Sequence, residues 1–145
     1  MERFQCPVAV HILLIKNNKL FMQLRKNTTS FAGQYYVLAG HIDGNETLLQ
    51  TAVREAKEEA GILIQESDLR FATFCHANTN HKEYIQVYFW CEQWEGEPQI
   101  LEPDKCATID FFDLDHLPEK TVPQLKVALE KARAGIPYYE YALEI

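Results

Sequence analysis

Gly40-His-Ile-Asp-Gly-Asn-Glu46-Thr-Leu-Leu-Gln-Thr-Ala-Val-Arg54-Glu55-Ala-Lys-Glu58-Glu59-Ala-Gly61-Ile62 is the stretch on which the reading of this 145-residue chain turns. Its spacing is G-x5-E-x7-R-E-x-x-E-E-x-G-I. Asp43-Gly44-Asn45 turns the chain into a helix predicted over 47–60, and Gly61 closes it. Leu48, Leu49, Ala52, Val53 and Ala56 form its apolar stripe. Glu55, Glu58 and Glu59 stand at i, i+3 and i+4, so their carboxylates share one helical face. Crowding like charges there costs energy, and a hard divalent cation offsets it, because Mg²⁺ and Mn²⁺ prefer oxygen ligands. Arg54 to Glu59 alone would pass as an ordinary solvated helix surface. The whole pattern would not: seven fixed Gly, Glu and Arg positions arise by chance roughly once in 10⁸ starting points on average composition.

Working outward, Val8–Ile15 reads as a buried strand that Asn17-Asn18 turns into a second strand at Leu20–Leu24. Arg25–Gln34 is polar and reads as a loop. Tyr36–Ala39 is a short strand that delivers Gly40. Leu69–Cys75, Tyr84–Cys91 and Thr108–Phe112 read as further strands, and Val122–Ala134 as a second amphipathic helix ending at Gly135. This pattern of strands around helices is α plus β, with no repeat, linker or low-complexity segment.

Length and composition narrow the class. The chain has the size of one domain, assigned to residues 1–145, and 47% hydrophobic with 24% charged residues is ordinary for a soluble globular protein. No apolar run approaches the ~20 residues that span a bilayer, and no signal peptide precedes Val8. Cys6, Cys75, Cys91 and Cys106 have no C-x-x-C spacing and read as reduced thiols of a cytoplasmic protein. A net charge of −7 argues against long nucleic acid as a partner. It leaves a nucleotide open, because bound metal inverts the local charge.

The Gly40–Ile62 residues match the signature box of the Nudix hydrolases, and on them the chain resembles a MutT-like member of that family. Gly40, Glu46, Arg54, Glu55, Glu58, Glu59 and Gly61 all stand where the family has them. Ala56 departs, replacing a larger aliphatic residue, and His41 replaces a frequent second glycine; neither removes a ligand. The resemblance implies an α/β/α sandwich with a mixed β-sheet, forming a single Nudix hydrolase domain. It also implies Mg²⁺-dependent (or Mn²⁺-dependent) hydrolysis of a phosphoanhydride in a nucleoside diphosphate joined to a further group. The implied metal ligands are the Gly40 carbonyl, Glu55, Glu58 and Glu59. Among the implied catalytic residues are Glu55, Glu58 and Arg54, the last holding a box carboxylate bidentately with Glu46 behind it.

The general base is either Glu55 or Glu102. Glu102 lies in Trp94-Glu-Gly-Glu-Pro-Gln-Ile-Leu-Glu102, a segment similar to the loop that brings an outside carboxylate to the metal in MutT-like members. Glu97, Glu102 and Asp104 also read as ordinary loop charges. Arg25 is the expected phosphate contact. Phe31, in a strap like the family's, and Phe111 are the expected substrate contacts, with Tyr35 and Phe74 as further stacking candidates or core. His11, His76, His81 and His116 have no ligand spacing and read as structural or surface.

No proline or tyrosine follows soon after Gly61, which tilts the expected substrate away from ADP-ribose and dinucleoside polyphosphates. The favoured reaction is (d)NTP to monophosphate and pyrophosphate. The runner-up is a nucleoside diphosphate-sugar or ADP-ribose pyrophosphatase, with capped or triphosphorylated RNA behind it. The reading of another class is a nucleotide sensor or interaction module without catalysis; the intact acidic cluster weighs against it. Monomer and homodimer both stay open.

Overall fold

The computed structural model describes residues 2–79 and 82–143. Eight strands and two helices follow in the order β1 (Val8–Lys16), β2 (Lys19–Arg25), β3 (Tyr35–Tyr36), β4 (Leu38–His41), α1 (Leu48–Ala60), β5 (Leu69–Thr79), β6 (Lys82–Cys91), β7 (Cys106–Asp113), α2 (Pro123–Arg133) and β8 (Tyr138–Leu143). A single 3₁₀ turn at Glu66–Asp68 precedes β5. The sheet runs β3-β2-β1-β6-β5-β8, with β4 added to β1 and β7 to β2. It is mixed: β1/β6 and β5/β8 are parallel, and the other strand pairs are antiparallel.

Alternation along β1 divides the core in two. Val10, Ile12 and Leu14 face α1, packing with its Ala52, Ala56 and Ala60 and with Val87 and Phe89 of β6. Leu13 faces the other way, into a layer with Leu125, Ala128, Leu129 and Ala132 of α2. The sheet therefore lies between the helices as expected. Alanines at α1's contact positions let the helix approach the sheet closely, while Leu48 and Leu49 pack at its margin and Val53 is half-buried.

Local signals account for the element ends. Asn17 and Asn18 have φ of 54° and 60°, the left-handed pair that a tight two-residue hairpin needs. Thr47 caps α1 in a capping box with Gln50, and Gly61 ends it at φ 70°.

Three departures from the sequence reading are informative. The strand expected at Tyr36–Ala39 is two strands, broken at Val37, because Tyr35–Tyr36 pairs with β2 whereas Leu38–His41 pairs with β1. Strand β5 continues beyond Cys75 to Thr79, alongside β6. Strand β8 was not anticipated; it pairs in parallel with β5, burying Tyr139 and leaving Tyr138 and Glu140 exposed.

Candidate active site

Strand β4 and helix α1 create the site by lying against each other. Gly40 approaches so closely that a Cβ there would overlap the Glu55 carboxyl, so any side chain at this position would have to displace that carboxyl. One residue earlier, the Ala39 N–H donates to Glu59 Oε2 at 3.1 Å. The box glycine and two box glutamates are thus joined by direct packing.

Arg54 organises the opposite side of the cluster. Its Nε and Nη2 donate to both oxygens of Glu46 at 2.8–3.2 Å, a forked pair with the geometry that favours arginine over lysine. Thr51 Oγ1 also donates to Glu46 at 3.1 Å. This guanidinium holds the Glu46 carboxyl below its ordinary pKa, and Glu46 in turn raises that of Arg54. Nη1 of Arg54 reaches Glu55 at 2.9 Å and Glu58 at 3.3 Å, and Nη2 reaches Asp43 at 3.2 Å. One cation serves four carboxylates.

Glu59 has no such partner. Burial pushes its carboxyl up to about 8, against the pull of the Ala39 N–H and with Glu55 pushing the same way. Burial also raises Glu55, with Arg54 opposing.

The donor set fits a hard divalent cation in kind, being all oxygen and holding a desolvated Glu59 with a single backbone donor. Among the described residues, no three His, Cys, Asp or Glu side chains converge on one point, since Arg54 engages Glu55 and Glu58. Ligation would require those two carboxylates to turn from the guanidinium.

Two cavities meet here. A narrow one of about 250 Å³ is lined by Glu55, Glu59 and Glu102 together with Arg25, Lys105 and Cys106. Glu102, from the loop after β6, is thereby brought to the box acids, with Lys105 Nζ 3.4 Å from its carboxylate. A wider one of about 480 Å³ shares Arg25 and Ala39 with the first and extends to Gly40, Phe31, Tyr36, Tyr84 and Gln86. Arg25 sits between them, its Nε donating to the Ser30 carbonyl at 3.3 Å and its guanidinium 6.0 Å from the Tyr36 ring centroid. Phe31 adopts φ 59°, costly for a bulky residue, with its ring 5.5 Å from that of Tyr36.

Phe111, expected as a substrate contact, is not brought to either of these cavities. Its register against Phe21 turns it to the α1 side of the sheet, where it stacks on Trp94 in a separate groove. Tyr35 and Phe74 pack on Phe112 and Tyr138 rather than on open space. His76 pairs with Glu83 at 2.6 Å, His116 lies 3.7 Å from Asp113, and His81 lies outside the described residues. Sequence reasoning missed Lys105, Gln86 and the part of His11 in the wider cavity wall. The alternation Tyr84-Ile85-Gln86-Val87-Tyr88, polar and aromatic on one face, was the available signal for Gln86.

The chain is similar to known proteins over most of its length. The NUDIX domain profile matches residues 6–132. The chain is 34% identical over 127 residues to the 8-oxo-dGTP diphosphatase of Escherichia coli (strain K12), an alignment spanning 85% of this chain and 94% of that protein. It is 28% identical over 126 residues to the ADP-ribose pyrophosphatase of Methanocaldococcus jannaschii, spanning 87% and 73%. Its fold is similar to that of the MutT NUDIX hydrolase from Burkholderia pseudomallei, with a TM-score of 0.79 over 88% of this chain and 98% of that one at 23% identity.

Proposed function

Because the chain belongs to the NUDIX family and is a hydrolase of nucleotide-linked substrates, we propose that it converts a nucleoside triphosphate to the monophosphate and pyrophosphate. The observation that carries this reading is the shared wall of the two cavities. One is acidic and holds Glu55, Glu59 and Glu102; the other is aromatic and polar and of a size for a nucleoside; Arg25 lines both. A nucleotide laid across that wall has its base beside Phe31 and its phosphates between Arg25 and the acids. The similarity to an 8-oxo-dGTP diphosphatase supports a triphosphate, and the lower similarity to an ADP-ribose pyrophosphatase keeps linked diphosphates as the second reading.

The family uses divalent metal ions, and magnesium is the proposed one here, held by the Gly40 carbonyl, Glu55, Glu58 and Glu59. Bound there, it would neutralise phosphate charge and acidify an attacking water. The chain's own groups supply the rest. Arg25 and Lys105 bind phosphate oxygens, and Arg54, anchored on Glu46, holds Glu55 and Glu58 until they turn to the ion. A water oxygen forms a bond to phosphorus, its proton passes to Glu55 or Glu102, and the anhydride P–O bond breaks to release pyrophosphate. Residues 1–145 act as one domain in this reading, and a cytoplasmic location follows the buried free thiols Cys75, Cys91 and Cys106. No described helix is long and apolar enough to cross a membrane.

A panel of canonical and oxidised (d)NTPs, ADP-ribose, nucleotide sugars and triphosphorylated RNA, each with Mg²⁺, tests the proposal. Inorganic phosphate released from triphosphates only when pyrophosphatase is added is the expected result. Phosphate released only when a phosphomonoesterase is added, and only from linked diphosphates, would establish the second reading instead. Nucleotide binding without cleavage of any substrate would leave the sensor reading.

A further inference from the structure

The Glu102 carboxylate reaches the box acids from a turn that has little core to hold it. Ile100 and Leu101, which lead into the turn, are 38% and 44% exposed, and Glu102, Pro103, Asp104 and Lys105 are all exposed. Cys106, at the far end, is buried. Within the turn, the Lys105 and Cys106 N–H groups both donate to the Glu102 carbonyl, at 2.9 and 3.0 Å. These bonds give the turn its shape. Its place relative to Glu55 and Glu59 depends on contacts outside it.

Those contacts come from the end of β2 and the segment that follows. The β2/β7 ladder runs from Lys19 against Asp113 to Leu24 against Thr108, then skips Ala107 and resumes with Arg25 against Cys106. An irregularity of this kind bends the strand that carries the extra residue, and here it falls where the turn enters β7. One rung further on, the Lys26 N–H donates to the Lys105 carbonyl at 2.9 Å. The next rung is made by a side chain: Asn27 Nδ2 donates to the Asp104 carbonyl at 3.1 Å. Asn27 has φ 52°, a left-handed conformation that asparagine tolerates better than most residues. The main chain thus leaves the ladder while the amide stays on it. Facing a carbonyl, only the NH₂ end of that amide can make the bond.

We propose that Asn27 is a positioning residue for Glu102, its amide fixing the turn so that the carboxylate stays beside Glu55 and Glu59 in the narrow cavity. Asn27 touches neither phosphate nor ion in this arrangement and acts through the turn. The same segment carries Phe31, and its Ser30 carbonyl receives Arg25 Nε at 3.3 Å. One short stretch between β2 and β3 therefore sets both the wall that meets the base and the carboxylate across the phosphates from it. The proposal rests on the nucleotide-hydrolase reading above and on Glu102 taking part in that reaction.

Two substitutions isolate the amide. Asn27→Gly keeps the left-handed backbone without strain and removes the side chain, whereas Asn27→Asp keeps the shape and removes the donor. The test measures kcat and KM with Mg²⁺ for the triphosphate cut fastest, for each variant alone and combined with Glu102→Gln, the combined forms read with enzyme in excess. Hydrogen exchange of the metal-free protein is followed by NMR in parallel. Each variant should lower kcat about two- to tenfold, the change in population that one such hydrogen bond supports, with KM moved by less than about twofold. On top of Glu102→Gln, Asn27→Gly should lower kcat no further, because the group that it positions is gone. Exchange should quicken at Lys105 and Cys106 and stay unchanged along α1. An unchanged kcat in Asn27→Gly, a full further loss on top of Glu102→Gln, or exchange that quickens equally along α1 overturns the proposal. A wild type that cuts no triphosphate overturns the hydrolase reading alone, and exchange at Lys105 and Cys106 then decides whether the amide holds the turn.

Discussion

At Glu59 a carboxyl lies nearly out of water with one backbone N–H as its donor, and its pKa rises from 4.5 to about 8. A group whose folded pKa is raised contributes stability that is complete below the unfolded value and lost as pH climbs through the folded one. Metal-free protein should accordingly lose stability between about pH 4.5 and 8 from this residue, by roughly 1.4 kcal/mol for each unit of separation at most. Glu59→Gln should flatten that slope, read from denaturant melts across the range in chelator. The same substitution should cut turnover by about a hundredfold or more under saturating Mg²⁺ while leaving the fold intact, because the proposed role of the carboxylate is to hold the ion rather than the core; near-normal turnover would sink its assignment as a ligand. Arg54 behaves oppositely. Its fork on Glu46 cannot be copied by an ammonium, so Arg54→Lys should destabilise the protein by about 1–3 kcal/mol and lower kcat as well. A thermal melt together with a kinetic assay separates the two effects.

Helix α1 shows how far elements were legible in the sequence. Its start, its end and its acidic face were all encoded within a few residues: Thr47 and Gln50 close the capping box, Gly61 takes the left-handed end, and the i, i+3, i+4 spacing sets the carboxylates. Thr47→Ala should therefore cost about 1 kcal/mol in a denaturant melt, the usual worth of a cap. Gly40→Ala tests the contact with β4, since a methyl must displace the Glu55 carboxyl; turnover should fall sharply with a modest change in melting temperature. What escaped the sequence was whatever depends on partners far along the chain. The break at Val37 exists because the strand changes neighbours from β2 to β1. Phe111 is an aromatic in a strand like many others, and only its pairing with Phe21 decides the face it takes. Gln86 and His11 belong to one cavity through β1/β6 register, which no local spacing reveals. Strand β8 was not read from the sequence, and its place beside β5 depends on a partner some sixty residues away.

For the molecule as a whole, a net charge of −7 and a cluster of acids that share one guanidinium favour cation uptake. Mg²⁺ should raise the melting temperature of the wild type with a saturating concentration dependence, and Glu59→Gln should lose most of the shift. The segments that make the site are dispersed: Arg25 ends β2, Gly40 lies in β4, Glu59 in α1 and Glu102 beyond β6. The parallel pair of β1 with β6, Val8 against Ile85, closes the chain over a long loop. Such closure is slow, and contacts that depend on it form late in folding. Burial of Glu59 against β4 is expected to follow that closure, so relieving it should have a kinetic signature of its own. Neutralising Glu59 should leave the refolding rate nearly untouched and lengthen the lifetime of the metal-free native state.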